Sequence, residues 1–421
     1  MKIRLTALNF MEFAVWGAYL TSMGTYLANV GMAGQIGWFY SVQGFVSLCM
    51  PALMGIVADR WMQAQRLLSL CHLMAGIFML AACVYGWQSA DTVQFAPLFT
   101  LYTLSVAFFM PTIALSNSVA YSALDQAGLD TVKSFPPIRV FGTVGFIISM
   151  WIVDLGGMQS TPLQFGWSGL LSILMAVYAL TMPPCRTSKG EHKSLVDALG
   201  LKAFLLFRSY RMALFFIFSM FLGVCLQITN GFANPFITSF GNIEEFKDTF
   251  GVQHANILIS LSQISETLCI LLIPFFLKRF GIKRVMLVAM LAWVLRYLFF
   301  AVGNPGSGVV WFVLSMIVYG VAFDFFNISG SLFVDKETDL SIRNSAQGLF
   351  MMMTNGFGAT IGTLCAQVVV NHYVFNLPAQ AGSMAVWHGW NTCWYIFAAY
   401  SLLVAIAFAL LFRYKHQPEG K

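Results

Sequence analysis

Apolar stretches of about 20 residues, the length an α-helix needs to cross a hydrocarbon layer, recur along this chain from end to end. Twelve are counted, at 6–30, 36–58, 67–87, 95–117, 137–154, 166–182, 212–238, 254–277, 285–303, 309–333, 345–370 and 391–412. A water-soluble fold cannot hide so much apolar surface, because exposed area shrinks only slowly with chain length. Composition agrees. Only 10% of the 421 residues are charged and 58% are hydrophobic, with a mean hydropathy of +0.75; soluble domains carry about 25% charged residues. The expected fold class is an all-α membrane protein with twelve transmembrane helices in a lipid bilayer. The first run follows Lys2 and Arg4, exceeds a signal-peptide core and lacks a small-residue cleavage site, so it reads as a spanning helix.

One polar connection is much longer than the rest. Residues 183–211 carry Arg186, Lys189, Lys193, Lys202, Arg208 and Arg211. They divide the chain into a 1–182 bundle and a 212–421 bundle of six helices each, the latter with a short tail. Two halves of nearly equal length suggest a duplicated transporter architecture with its site between them. Orientation follows from the basic residues. All of the 23 Lys and Arg except Lys247, Arg139 and Arg296 fall in alternate loops or the termini. Both termini are therefore expected in the cytoplasm. The same asymmetry explains the net charge of +6 without a nucleic-acid partner.

The turn GIVADRWMQAQR places Gly55, Asp59 and Arg60 between the second and third spans. A Gly–x–x–x–Asp–Arg turn resembles the loop signature of the major facilitator superfamily. There the Gly would allow close helix packing, and Asp59 and Arg60 would form charge-assisted bonds that release as the halves rock. The alternative is an ordinary topology-setting loop. The second half has KRFGIKR (278–284) at the corresponding place, without the Asp.

Ionisable residues at membrane depth are costly and usually functional. Glu266 and Asp324 fall near the centres of the eighth and tenth spans. Arg296 counts to a depth like that of Asp324, so the two could pair. Glu12 falls near the start of the first span, where it could reach the interface. Arg139 follows a break at Pro136–Pro137 and reads equally as a snorkelling interfacial arginine. Four helices also carry polar and aromatic side chains at helical spacing: Arg139, Thr143 and Phe146; Gln227 and Asn230; Gln263 and Glu266; Tyr319 and Phe323. Steps of three and four put them on common faces. Such faces look at another helix or at a water-filled cavity rather than at lipid. Amides donate and accept and aromatic rings stack. That chemistry suits a nucleobase with ribose, and equally a sugar.

The stretches SFPPIRVFGTVGFI, FFIFSMFLGVCLQITN, SQISETLCILLIPFFL and SMIVYGVAFDFFNISGSLFV closely resemble bacterial nucleoside–proton symporters of the major facilitator superfamily. The similarity runs from MPALMGIVADR to FRYKH. It implies nucleoside import by alternating access, with a proton as the coupling ion and no other cofactor. It implies an inner-membrane location and, as the superfamily expectation, a monomer. It implies a nucleoside pocket of Arg139, Thr143, Phe146, Gln227, Asn230, Gln263, Glu266, Tyr319 and Phe323, with Asp324 beside it. Glu266 or Asp324 would carry the proton.

Other classes find less support. A sugar or a small organic anion held by Arg139 is the alternative substrate. No metal-ligand cluster, CxxC pair, HExxH or catalytic triad pattern is present, so neither an enzyme nor a metal site is expected. His72, His254, His372 and His388 are widely spaced and read as structural. No GxxxxGK[ST] loop supports an ATP-driven pump. Gly356, Gly358 and Gly362 in TNGFGATIG read as small residues for close helix packing.

Overall fold

The structure, a computed structural model, describes residues 1–185, 201–339 and 342–414. Most of the described residues are helical, with no strand among them. Nine described helices are long and apolar enough to cross a membrane, and two shorter apolar ones cover Leu163–Ala179 and Ala255–Ile270. The chain forms two compact units, Met1–Leu199 and Gly200–Lys421.

The first unit contains α1 (Lys2–Gly17), α2 (Met23–Asn29), α3 (Ile36–Arg60), α4 (Ala64–Ser89), α5 (Phe95–Gln126), α6 (Thr131–Leu155) and α7 (Leu163–Ala179). The second contains α8 (Tyr210–Ser239), α9 (Ala255–Ile270), α10 (Ile273–Val302), α11 (Val309–Glu337), α12 (Arg343–Met351), α13 (Ala359–Val370) and α14 (Gly382–Leu411). A π-helical segment, Met352–Gly358, joins α12 to α13. The two units repeat one packing order. In the first, α1 lies on α6, α4 on α5 and α7, and α3 on α5. In the second, α8 lies on Met352–Gly358, α10 on α11 and α14, and α9 on α11. Backbones touch at equivalent places. A Cβ on Gly17 or Gly145 would sit 2.4 Å and 2.1 Å from the carbonyls of Phe146 and Phe10. One on Gly223 or Gly358 would sit 2.0 Å and 2.4 Å from those of Thr354 and Met220. Gly358 and Gly362 thus serve helix packing, as their sequence context implies; Gly362 abuts Val224.

Several boundaries differ from the hydropathy count. The first apolar run is two helices, since the chain breaks at 18–22. The Leu20 carbonyl in the break accepts from the Tyr40 hydroxyl at 2.5 Å, and the Ser22 hydroxyl donates to Gln164 at 2.9 Å. Polar partners therefore satisfy a break that hydropathy cannot register. Pro136 and Pro137 do not break α6, which begins at Thr131; both lie in its second turn, where each removes one backbone bond and the helix continues. The expected loop 278–284 is mostly helical, and the turn is confined to Gly281 (φ 77°), a left-handed conformation that favours glycine. The end of the expected central connection, Leu201–Arg208, is a 3₁₀ helix packed on the second unit, with Phe207 5.5 Å from Phe216.

Gly55 is not at a close helix contact: a Cβ there would meet nothing within 4 Å. The side chains of Asp59 and Arg60 lie outside the described residues.

Candidate functional site

In the first unit the face on α6 is built against α1. The Arg139 guanidinium lies over the Phe13 ring, 3.8 Å from its centroid. Gly142 leaves room for both: a Cβ there would strike Phe13 at 2.6 Å and Arg139 at 2.8 Å. Phe146, one turn from Thr143, is buried and meets Trp16 edge-on at 6.4 Å. Trp16 donates from Nε1 to Gln43 at 3.3 Å, and Gln43 donates to the Tyr102 hydroxyl at 2.7 Å. Arg139 is thus a half-buried cation on an aromatic ring. Phe13, Trp16 and Gln43 extend the face beyond the expected residues. Their only sequence signal is the step of three between Phe13 and Trp16, which is lost among the other apolar residues of α1.

In the second unit the expected residues occupy three helices. Asn230 donates to Gln227 at 3.4 Å on α8. Asn234, one turn further along α8, donates to Asn256 on α9 at 2.8 Å, with both side chains fully buried. This bond sets the register of two antiparallel helices. Seven residues back from Asn234 is Gln227, and seven residues on from Asn256 is Gln263. Each lies about 10 Å along its helix from the bond, so the two glutamines share one level.

α9 and α11 meet where Gly320 faces the Ser265 backbone, a contact a Cβ would close to 2.6 Å. Ser265 also donates to the Ile317 carbonyl. The approach brings Glu266, next along α9, within electrostatic reach of both Tyr319 and Asp324. Tyr319 and Phe323 stack at 5.8 Å with an 11° interplanar angle, and Trp293 meets Tyr319 edge-on at 5.9 Å. Asp324 is buried, and its Oδ2 has no hydrogen-bond partner. Gln263 also has a buried Oε1 without one. Unpaired buried polar atoms are costly.

The possible Arg296–Asp324 pair does not form. Arg296 donates to the Ser315 carbonyl at 2.6 Å, and the Ser315 hydroxyl returns a bond to the Arg296 carbonyl at 2.9 Å. This reciprocal bond levels Arg296 with Ser315, nine residues and about 13 Å along α11 from Asp324. The guanidinium instead lies over Tyr319, 4.7 Å from its centroid, and also reaches Ser262 at 3.3 Å. Glu12 does not reach an interface. It is fully buried, 2.9 Å from His72 Nε2, because α1 continues past it in both directions and α5, α6 and α7 pack alongside. Among the described residues no group of His, Cys, Asp and Glu could hold a metal ion.

Two helical units with one repeated packing order, and buried acids and amides inside apolar helices, define a membrane transporter of the major facilitator type. The nucleoside H+ symporter model matches residues 1–417, and the chain belongs to that family. It is 47% identical to the xanthosine permease of Escherichia coli K12, covering 100% of this chain and 97% of that protein. It is 45% identical to the nucleoside permease NupG of the same organism, covering 99% and 97%. Crystal structures of nucleoside transporter NupG superpose over 98% of this chain. The first, of a mutant, has a TM-score of 0.91 and 44% identity over 100% of its chain; the second has 0.87 and 45% over 99%. A bacterial Spinster homologue with 12% identity shares the fold alone, with a TM-score of 0.69.

Proposed function

We propose that this protein imports nucleosides by proton symport across a bacterial inner membrane. The observation that carries the reading is the approach of Glu266 to Tyr319 and to the buried Asp324, with Tyr319 stacked on Phe323, in a chain of the nucleoside H+ symporter family. Gln227, Asn230 and Gln263 supply donors and acceptors to the base and ribose. Tyr319 and Phe323 offer flat faces in the second unit; in the first unit by itself, Phe146 offers a flat face and Arg139 and Thr143 a cation and a hydroxyl. Glu266 and Asp324 exchange the proton: one buried negative charge is tolerated there, and a second is repelled by the first.

The nine long helices, the two shorter ones and the broken α1–α2 run together make twelve spans, with both termini in the cytoplasm. The protein acts as a monomer, with the proton as its sole coupling ion. Asp59 and Arg60 act as the releasable latch of the first unit. One charge crossing about 100 mV supplies about 2.3 kcal/mol, which at about 1.4 kcal/mol per tenfold supports accumulation on the order of 50-fold.

The test is uptake of a labelled nucleoside panel in proteoliposomes, with and without an imposed pH gradient. Accumulation that needs the gradient and is competed by nucleosides is the expected result. Equal competition by sugars or carboxylates would replace the substrate assignment.

A further inference from the structure

In the first unit the face of Arg139 and Phe146 rests on aromatic rings, and those rings meet at Trp16 of α1. The half-buried Trp16 ring lies 6.5 Å from Phe13, 6.4 Å from Phe146 and 6.2 Å from Phe109 of α5. Phe13 in turn carries the Arg139 guanidinium. A displaced Trp16 indole therefore disturbs the supports of both Arg139 and Phe146.

Aromatic contacts accept a range of tilts, whereas a hydrogen bond is directional. One such bond fixes the indole. Trp16 Nε1 donates to Gln43 Oε1 at 3.3 Å, and Gln43 Nε2 donates to the Tyr102 hydroxyl at 2.7 Å. An indole nitrogen can only donate. The amide atom facing it must therefore be the oxygen, which leaves the amide nitrogen for Tyr102. The two ends of Gln43 cannot be exchanged. Tyr102 is fixed in its own right: it is fully buried, 5.3 Å from the Phe39 ring and edge-on to Tyr19 at 5.9 Å. Gln43 is 2% exposed, and a buried amide is costly unless it is bonded, so both of its bonds are held. A second bond sets the register. Tyr40, three residues before Gln43 on α3, donates to the carbonyl of Leu20, four residues after Trp16. The two links climb one segment as they descend the other, so α3 cannot slide along α1 without breaking both.

We propose that Gln43 is a positioning residue for nucleoside binding, which holds the Trp16 indole at the angle that keeps Phe146 and the Phe13–Arg139 contact in place for the solute. Gln43 acts through Trp16. The inference rests on the nucleoside reading for its binding arm, while the hold on the indole stands apart from it.

The test is a double-mutant cycle on the full chain in detergent micelles. Uridine affinity is read by titration calorimetry, and the unfolding midpoint is read on the same samples. Gln43→Leu keeps a similar volume and removes both bonds. It should weaken uridine binding about fivefold, the factor that one hydrogen bond of about 1 kcal/mol corresponds to. Trp16→Phe keeps a ring but has no N–H for Gln43 to hold. In that background Gln43→Leu should add less than about twofold. A merely structural amide would lower the midpoint and spare the affinity. An unchanged Kd in folded Gln43→Leu would overturn the inference, and so would the full fivefold loss in the Trp16→Phe background. Indole ¹⁵N–¹H NMR of the wild type gives an answer that does not depend on a Gln43 variant folding. The Trp16 signal, identified by its absence in Trp16→Phe, should exchange slowly with water and shift when uridine is added. Free exchange, or no shift with uridine bound, would overturn the inference. A wild type that binds neither uridine nor any other nucleoside would overturn the nucleoside reading and the binding arm with it; a slowly exchanging Trp16 signal in that protein would show that the reading, and not the hold of Gln43, had failed.

Discussion

Replacing Arg296 by methionine isolates a cation that no contact to substrate explains. Arg296 is 1% exposed and spends its guanidinium on the Ser315 carbonyl, on Ser262 and on the ring of Tyr319. Methionine keeps most of the volume and none of the charge. The desolvated cation–π contact at 4.7 Å is worth about 0.5–2 kcal/mol. Its role is to hold Tyr319 in the stack with Phe323, against the edge of Trp293. If Tyr319 packs on the nucleoside, losing that hold should weaken binding by the same amount, about 2- to 30-fold in Kd. Stability should change less than the lost bonds suggest, because the desolvation cost of the guanidinium disappears with it. Titration calorimetry with uridine, alongside the unfolding midpoint, separates the two effects. Arg296→Lys should fall between, since lysine keeps the charge without the planar fork. An unchanged Kd in a folded Arg296→Met protein would refute the idea that Arg296 orients Tyr319.

Three other perturbations bear on the same architecture. Glu266→Gln and Asp324→Asn should each abolish gradient-driven accumulation, on the order of 50-fold in the parent, while sparing counterflow; full coupled uptake in both variants would remove these acids from the proton path. Gly223→Ala places a methyl 2.0 Å from the Thr354 carbonyl oxygen, a backbone atom that cannot turn aside. It should cost about 1–3 kcal/mol of stability, read as a lower unfolding midpoint, and an unchanged midpoint would deny the close approach. Asn234→Ala leaves Asn256 Oδ1 without its donor. It should cost about 1–3 kcal/mol and weaken nucleoside binding as Gln227 and Gln263 lose their common level; intact affinity would show that the bond does not set the register.

Much of the candidate site is legible in the sequence. Gln227 with Asn230, Gln263 with Glu266, and Tyr319 with Phe323 announce themselves by steps of three or four inside apolar runs, since helical periodicity is a local property. Which helix each face meets was not legible. Equal depth suggested that Arg296 could pair with Asp324, but the Ser315 bond shows Arg296 level with a residue nine positions earlier. Phe13 and Trp16 were invisible because an aromatic residue in an apolar helix carries no contrast. Glu12 and His72 were read separately, one as interfacial and one as structural, because 60 positions part them in the chain while 2.9 Å parts them in space.

The chain by itself determined that it enters a bilayer as helices, that a long polar connection divides it into two halves of nearly equal length, and which faces carry polar side chains. Those follow from hydropathy and from a 3.6-residue period, both of which act over neighbouring residues. Only the tertiary structure decided the levels at which helices meet, the break at 18–22, and the partners of Glu12, Asn234 and Arg296. Those depend on glycine contacts and on buried hydrogen bonds between residues far apart in the chain, and burial makes each such bond's geometry too costly to leave unmet.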